Sequence, residues 1–445
     1  MKVKLFLISC FLYVPFFVFS QDGFQFENGK NKIVIPFKLV NNLIIISANI
    51  NDVPLNFLLD TGVEESILFS LEETDQIIFS DLQKIKIKGF GKKEAFDGFK
   101  STSNKFKIKN FIDRNHILYL ILDQDVNISS KVGVPVNGIL GYHFFKNHLV
   151  KIDYDAKKIT LYKNKQKQLI KLENNFTKST LAVHDGKPYL NTNIKISEKD
   201  SLFEAKLLID TGNSDAVWLF KNKSEKVTIP KNSIRDYLGR GFSGDVFGYR
   251  GRISSFQIEN LLLKETIIAI PDSTDTKDVD ESTINRLGSI GGEIMKRYQV
   301  YFDYSSNALY LKKSNTYNEP FNFNMSGIEV QHQGLQWVQE SFENNPAMSN
   351  NLFDGNGNKV ANNLRYKFEL KPVYIITSVR ENSNAEEVGI KKDDIIVKIN
   401  NNPAYNYSLQ DINELLMSEE GKSIEIVVDR KGRFYTFKIK LKRII

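Results

Sequence analysis

The stretches Asn56-Phe-Leu-Leu-Asp60-Thr61-Gly62 and Lys206-Leu-Leu-Ile-Asp210-Thr211-Gly212 each run an apolar segment into Asp-Thr-Gly, and their aspartates stand 150 positions apart. The same offset aligns Gly89-Phe-Gly91 with Gly239-Arg-Gly241, Gly98 with Gly248, and Phe106-Lys-Ile108 with Phe256-Gln-Ile258. It also aligns Gly138-Ile-Leu-Gly141 with Gly288-Ser-Ile-Gly291 and Asp153-Tyr154 with Asp303-Tyr304. No gap is needed downstream of the motif; the register fails only upstream of it. A duplication that delivers two equivalent carboxylates predicts one site shared across a pseudo-twofold axis.

Around the motif, residues Ile33 to Lys313 are short runs of β-branched and aromatic residues separated by Gly, Asn, Asp and Pro. Leu43-Ile-Ile-Ile46, Ile117 to Leu122 and Val150 to Tyr154 are examples in the first copy; Leu261 to Ile270 and Val300 to Tyr304 are examples in the second. This pattern predicts a mainly β architecture of two duplicated lobes. Short helices are expected at Leu71 to Leu82 and Glu293 to Tyr298, and a polar inter-lobe connection at Lys163 to Asn175. Residues 21–165 and 166–313 are the expected lobes.

After Lys313 the composition shifts. Residues 314–363 are rich in Asn, Gly and Ser and read as a linker or the start of a further domain. From Tyr366 the pattern is regular: strand Val373 to Val379, a short helix near Ala385 to Val388, strand Ile395 to Asn400, and helix Leu409 to Met417. Strands Ser423 to Val428 and Phe434 to Leu441 follow. Residues 314–445 are therefore expected to be a linker and a compact α+β module.

The chain has 445 residues, too many for one hydrophobic core. Its formal charge of +7 comes from 60 basic and 53 acidic residues that are interspersed, which predicts solvated faces and no nucleic-acid partner. Residues 1–20 read as a secretory signal peptide, with Lys2 and Lys4 ahead of an apolar run and Val18-Phe-Ser20 before the cut. The protein is accordingly expected to be exported, periplasmic or extracellular, with no membrane span after cleavage. Lipidation at Cys10 is the weaker alternative, because few apolar residues precede it. Cys10 is the only cysteine, so cleavage after Ser20 leaves neither disulfides nor thiol chemistry.

One Asp-Thr-Gly is ordinary turn chemistry. Two, each at the end of an apolar strand in a duplicated unit, point to a paired site. Two carboxylates brought within about 3 Å cannot both ionise, so one keeps a proton while the other is charged. Such a pair deprotonates a water and protonates a departing amide nitrogen. No metal or cofactor is expected. The five histidines, His116, His143, His148, His184 and His332, show no metal-ligand spacing and read as core or surface residues.

At these residues the chain resembles the aspartic peptidases, in the single-chain two-lobed arrangement of the pepsin-like group and with local sequences close to the retropepsin-like group. The resemblance covers about Ile33 to Lys313. It includes an apolar-apolar-Gly segment 81 residues after each aspartate, Ile139-Leu140-Gly141 and Ser289-Ile290-Gly291. It implies a bilobal pseudo-twofold fold, a catalytic dyad of Asp60 and Asp210, supporting turns at Thr61, Gly62, Thr211 and Gly212, and a peptide or protein substrate. Val63 and Asn213 stand where pepsin-like enzymes carry a hydroxyl, although the Asn213 amide could still donate. With Val63 unable to donate, the pH profile is expected to move toward mildly acidic or near-neutral values. Gly89 to Gly98 and Gly239 to Gly248 are equivalent hairpin candidates, so the site has two flaps or one; plain β-turns are the alternative.

The C-terminal module resembles a PDZ domain, on Thr377 to Ala385 followed by Val388-Gly-Ile-Lys-Lys-Asp393-Asp394-Ile-Ile-Val-Lys-Ile-Asn400. Domains of that family bind peptides by adding a strand to a sheet edge. Only Ser326-Gly-Ile-Glu329 offers a carboxylate-binding loop, so peptide binding and intramolecular packing both stand open. Because the duplicated region carries both aspartates, ending the chain near Tyr317 is expected to leave small-peptide cleavage largely intact. The expected function is an exported aspartic endopeptidase; the rival is a non-catalytic peptide-binding protein of the same fold.

Overall fold

The apolar runs ahead of each Asp-Thr-Gly are strands, Val53–Leu59 and Phe203–Ile209, buried without interruption over their last three residues. Continuous burial arises because the two faces of the strand feed different cores. Phe57 and Leu59 join the main hydrophobic cluster, whereas Leu58 packs with Leu43, Ile45 and Ile139 in a second one. A computed structural model describes residues 23–71, 76–87, 96–121, 128–241, 244–273, 285–342 and 365–445. The signal peptide read at 1–20 and Cys10 lie outside the described residues.

The chain is mainly β. In the first lobe, strands Phe111–Ile121, Ser66–Leu68, Gly138–Leu140, Val53–Leu59, Leu43–Ile50 and Phe96–Ile108 pair in that order, and the last returns to the first, closing a six-stranded barrel. The second lobe repeats the ring with Leu261–Pro271, Val217–Leu219, Gly288–Ile290, Phe203–Ile209, Lys187–Lys195 and Gly244–Ile258. Closure removes the exposed edges that an open sheet would carry. A sheet of six antiparallel strands joins the lobes: Thr177–His184, Ala308–Lys313, Tyr298–Asp303, Leu149–Asp153, Lys158–Tyr162 and Lys32–Pro36. At its centre Lys151 faces Tyr301 while Val150 faces Phe302 and Ile152 faces Val300, a register that exchanges with itself under the duplication. The pseudo-twofold axis therefore passes between these two strands.

The register also explains where the alignment fails. Two residues, Asn51-Asp52, separate paired Ile50 and Val53, whereas eight separate paired Ile194 and Phe203. Asn51 and Asp52 have φ of 48° and 72°, the left-handed pair of a tight hairpin turn. The downstream alignment, free of gaps in sequence, contains a hidden shift. Leu68 faces Gly138 and Leu219 faces Gly288, so one extra residue lies between Asn213 and Val217 compared with Val63 and Ser66. The shift persists to Ile85, which faces Gly98 as Asp236 faces Gly248, and is reversed before Gly98 and Gly248. Gly89 and Gly91 lie outside the described residues.

The inter-lobe connection Lys163 to Asn175 carries a helix, Gln166–Asn175, with Leu169, Leu172 and Phe176 in one stripe against Tyr301 and Tyr310. Residues 76–82 of the expected helix Leu71 to Leu82 are not helical, and Asp81 turns at φ 52°. There Ile77 and Phe79 pack on the core while Ile78 points to solvent, a period of two. The short helix near Glu293 spans Gly292–Met295.

Residues after Lys313 are anchored from the start. Tyr317, Phe321, Phe323 and Met325 are buried, and the Arg297 guanidinium donates to the Tyr317 carbonyl at 3.2 Å while stacking 3.7 Å from the Phe321 ring. The C-terminal sheet runs Ile328–Phe342, Arg365–Val379, Ile395–Ile399, Ser423–Arg430 and Arg433–Lys440, with helices Asn384–Glu387 and Leu409–Leu416. Asp393 takes a left-handed turn at φ 71°, and buried Asp394 is gripped by Arg430 through contacts of 2.6 and 2.7 Å. Among the described residues no helix is long and apolar enough to cross a membrane.

Candidate active site

Each Asp-Thr-Gly begins where its strand ends, and the neighbouring parallel strand fixes it. The Asp60 N–H donates to the Leu140 carbonyl at 3.0 Å and the Asp210 N–H to the Ile290 carbonyl at 2.8 Å. The apolar-apolar-Gly segments thus hold the aspartates by their backbones, leaving the side chains to project across the axis.

The threonines lock the two turns together. Thr61 Oγ1 donates to the Ile209 carbonyl at 2.7 Å, and Thr211 Oγ1 donates to the Leu59 carbonyl at 2.8 Å. Each hydroxyl accepts the other threonine's N–H at 3.1 Å. Both threonines are buried, so every polar atom of this cross-link is used within the protein.

The glycines let the carboxylates meet. A Cβ at Gly212 would lie 2.2 Å from Asp60 Oδ2, and one at Gly62 would lie 2.9 Å from Asp210 Oδ1. Each glycine thus vacates the space used by the opposite lobe's carboxylate. The Gly62 N–H donates to Asp60 Oδ1 at 2.7 Å and the Gly212 N–H to Asp210 Oδ1 at 3.1 Å. All six residues singled out in the sequence are therefore in one place.

The electrostatics are those of a pair sharing a proton. Burial and then the neighbouring Asp210 charge push the Asp60 carboxyl well above the usual carboxylate range, against the Gly62 and Gly212 N–H groups. Burial also raises Asp210, while the Arg286 charge, a hydrogen bond from Asp60 and the Gly212 and Asn213 N–H groups pull it back. The raised values belong to the pair, with the opposing contributions larger in number at Asp210 than at Asp60. The Asn213 carboxamide turns elsewhere: its Oδ1 accepts the Asp215 N–H at 2.9 Å, so the backbone N–H of Asn213 serves Asp210 instead.

The pair lies in a cleft of about 1230 Å³ that is lined by both lobes and also by Glu329, Asn413 and Met417 of the C-terminal module. Residues of the last module thus line the cleft together with those of both lobes. Hairpin Ser233–Gly241 with Gly244–Ile258 borders the cleft from the second lobe. Its counterpart Gln83–Ile87 pairs with Phe96–Lys100 in the first lobe, with its tip outside the described residues.

A second polar constellation escaped the sequence reading. His116 Nδ1 is 2.8 Å from Asp113 Oδ2 and His116 Nε2 is 2.8 Å from Ser66 Oγ. Ser66 is 0% exposed and Phe24 and Phe106 close over the imidazole, so no substrate reaches it. It is a satisfied core cluster. Among the described residues no group of three or more His, Cys, Asp or Glu is placed to hold a metal ion.

In the C-terminal module the weak carboxylate loop is internally occupied. The Met325 N–H donates to the Leu416 carbonyl, the Ser326 N–H to Asn324 Oδ1 and the Ile328 N–H to Ser326 Oγ. Helix Ile128–Val132 of the first lobe packs on strand Ile328–Phe342, and Gly133 abuts Leu409, which begins the long helix. Intramolecular packing is thus realised. A PDZ domain family model matches residues 375–430. No curated protein matches the chain.

Proposed function

We propose that this protein is an exported aspartic endopeptidase in which Asp210 takes a proton from the attacking water and later passes it to the departing amide nitrogen, while Asp60 protonates the forming oxyanion. The observation that carries this reading is the reciprocal Thr61–Thr211 cross-link holding buried Asp60 and half-buried Asp210 hydrogen-bonded to each other in an open cleft. A pure binding protein gains nothing from two like charges forced together at the cost of desolvation. The substrate is an extended peptide, and the PDZ domain, a protein-interaction module, contributes one wall of its channel.

In the reaction the monoprotonated pair takes a proton from the water onto Asp210 as the oxygen attacks the carbonyl carbon. Asp60 donates its proton to the forming oxyanion. Collapse of the tetrahedral intermediate then moves the proton on Asp210 to the nitrogen and a hydroxyl proton of the intermediate back to Asp60, and the pair returns to its starting state. Purified mature protein incubated with a diverse peptide mixture should yield pepstatin-sensitive cleavage products by mass spectrometry. Peptide binding without any cleavage would establish the rival reading, a non-catalytic relative.

The pH window follows from the two carboxyls. Activity needs Asp210 ionised and Asp60 protonated, so the acidic limb reports Asp210 and the alkaline limb Asp60, as apparent values of the pair. Both are raised by burial. The kcat/KM profile should therefore peak in mildly acidic to near-neutral solution. Val63→Ser adds a donor in the Asp60 turn and should lower the apparent values of the pair, moving the profile toward acid. Arg286→Gln removes a charge that favours ionised Asp210 and should move the acidic limb up. An optimum near pH 2 to 3 in the wild type would contradict this account.

A further inference from the structure

We propose that Arg380 of the PDZ domain, acting through Asp236 and Arg250 on Asp215, positions the loop that carries Asp210, which makes the PDZ domain a working part of the active site. The proposal rests on the reading of Asp60 and Asp210 as the catalytic pair.

The relay is continuous. Arg380 Nε donates to Asp236 Oδ1 at 2.9 Å, with Nη2 3.4 Å from Oδ2, and both side chains are 6% exposed. The other side of that carboxylate accepts Arg250 Nε at 3.0 Å, and Arg250 Nη1 reaches Asp215 Oδ1 at 2.8 Å. Asp215 Oδ2 accepts the Trp218 indole N–H at 2.8 Å. Asp215 is five residues beyond Asp210 in the turn Asp210 to Ala216. That turn is closed by the Asn213 N–H to Asp210 carbonyl bond at 3.2 Å and by the Asn213 Oδ1 bond to the Asp215 N–H.

Among the described residues the first lobe has no such chain, and the difference is informative. The structural equivalents of Asp236 and Arg250 are Ile85 and Lys100, and the extra residue of the second lobe falls in the segment holding Asp215. The duplication therefore does not account for the relay; the PDZ domain packs on both lobes, and the relay exists in the second lobe, where Arg380 meets Asp236. Glu329, on the first strand of the C-terminal sheet, faces the same group. Burial and then the Asp236 charge push its carboxyl up to about 7, opposed by Arg250 and Arg380, with Asp215 adding to the push. Below that pH Glu329 is neutral and two guanidiniums balance two carboxylates. A charge-balanced, desolvated network has one preferred geometry, and removing one cation leaves a buried carboxylate to find another.

Arg380→Gln and Arg380→Lys in the full chain test this, with kcat and KM for a short peptide and the Trp218 indole N–H resonance as readouts. Trp337 is the only other tryptophan, so Trp337→Phe, applied as the common background, leaves one indole signal. The expected result for Arg380→Gln is a fall in kcat of about 10- to 100-fold with KM little changed, a displaced Trp218 resonance, and partial recovery of both in Arg380→Lys. A folded Arg380→Gln protein with unchanged kcat, or with an unmoved Trp218 resonance, overturns the proposal. If Arg380→Gln does not fold, the same two readouts in Arg380→Lys, which keeps the charge but loses the two-point fork, decide the matter. A wild-type protein without turnover overturns the catalytic reading instead, and the Trp218 displacement then still decides whether the PDZ domain governs the Asp215 loop.

Discussion

Asp60→Asn and Asp210→Asn should each reduce kcat/KM by at least about 10³-fold, and the double variant should be little worse than either single one. In the proposed mechanism the two carboxyls act as one proton-sharing unit, so losing either member stops the cycle. The same changes should leave the fold intact and raise its stability at neutral pH. Asp60 has a folded-state pKa above its unfolded value, so the folded protein binds that proton more tightly. Its stabilising contribution is complete below the ordinary carboxylate pKa and is lost as pH rises through the folded value. Asparagine has no such titration. Thermal denaturation from pH 4 to 8 should show a shallower loss of Tm in Asp60→Asn than in wild type. Near-normal turnover in either single variant would sink the shared-site model.

Gly212→Ala should be almost as damaging, although it touches no ionisable group. The added methyl would sit 2.2 Å from Asp60 Oδ2 and 2.4 Å from its Cγ, far inside van der Waals contact. Either the Asp60 carboxylate swings away or the turn retreats from the axis. A displacement near 1 Å at the reacting groups costs about 10²-fold or more in rate, and the strain costs about 1–3 kcal/mol of stability. The expected pattern is a large fall in kcat with a modest fall in Tm, seen in steady-state kinetics and thermal melts. Gly62→Ala should be milder, because its methyl would meet Asp210 at 2.9 Å. Equal and small effects from both would mean that the carboxylates are not held where the geometry puts them.

Much of this was legible in the chain itself. The 150-residue offset carried the pairing of strands, because equivalent residues in a duplicated unit must meet equivalent partners: Leu140 with Asp60, Ile290 with Asp210. Alternation and apolar runs marked the strands and the core. The PDZ domain was readable from Thr377 to Asn400, including the left-handed Asp393. These are local or repeated signals, and local sequence is enough to encode them.

What the sequence determined by itself is the mainly β duplication, the six residues Asp60, Thr61, Gly62, Asp210, Thr211 and Gly212, and the PDZ domain at the end. Tertiary structure alone decided how these parts are used. The single-residue shift at Asp215 is invisible to an alignment, because a compensating shift restores the register before Gly98 and Gly248. Asp236, Arg250 and Arg380 are unremarkable charged residues in sequence, of a kind usually left in solvent; in the folded chain they are largely shielded from water and pair with one another. Ser66, Asp113 and His116 come together in the same way. A charge's meaning depends on whether water can reach it, and burial is a property of the assembled fold rather than of any segment.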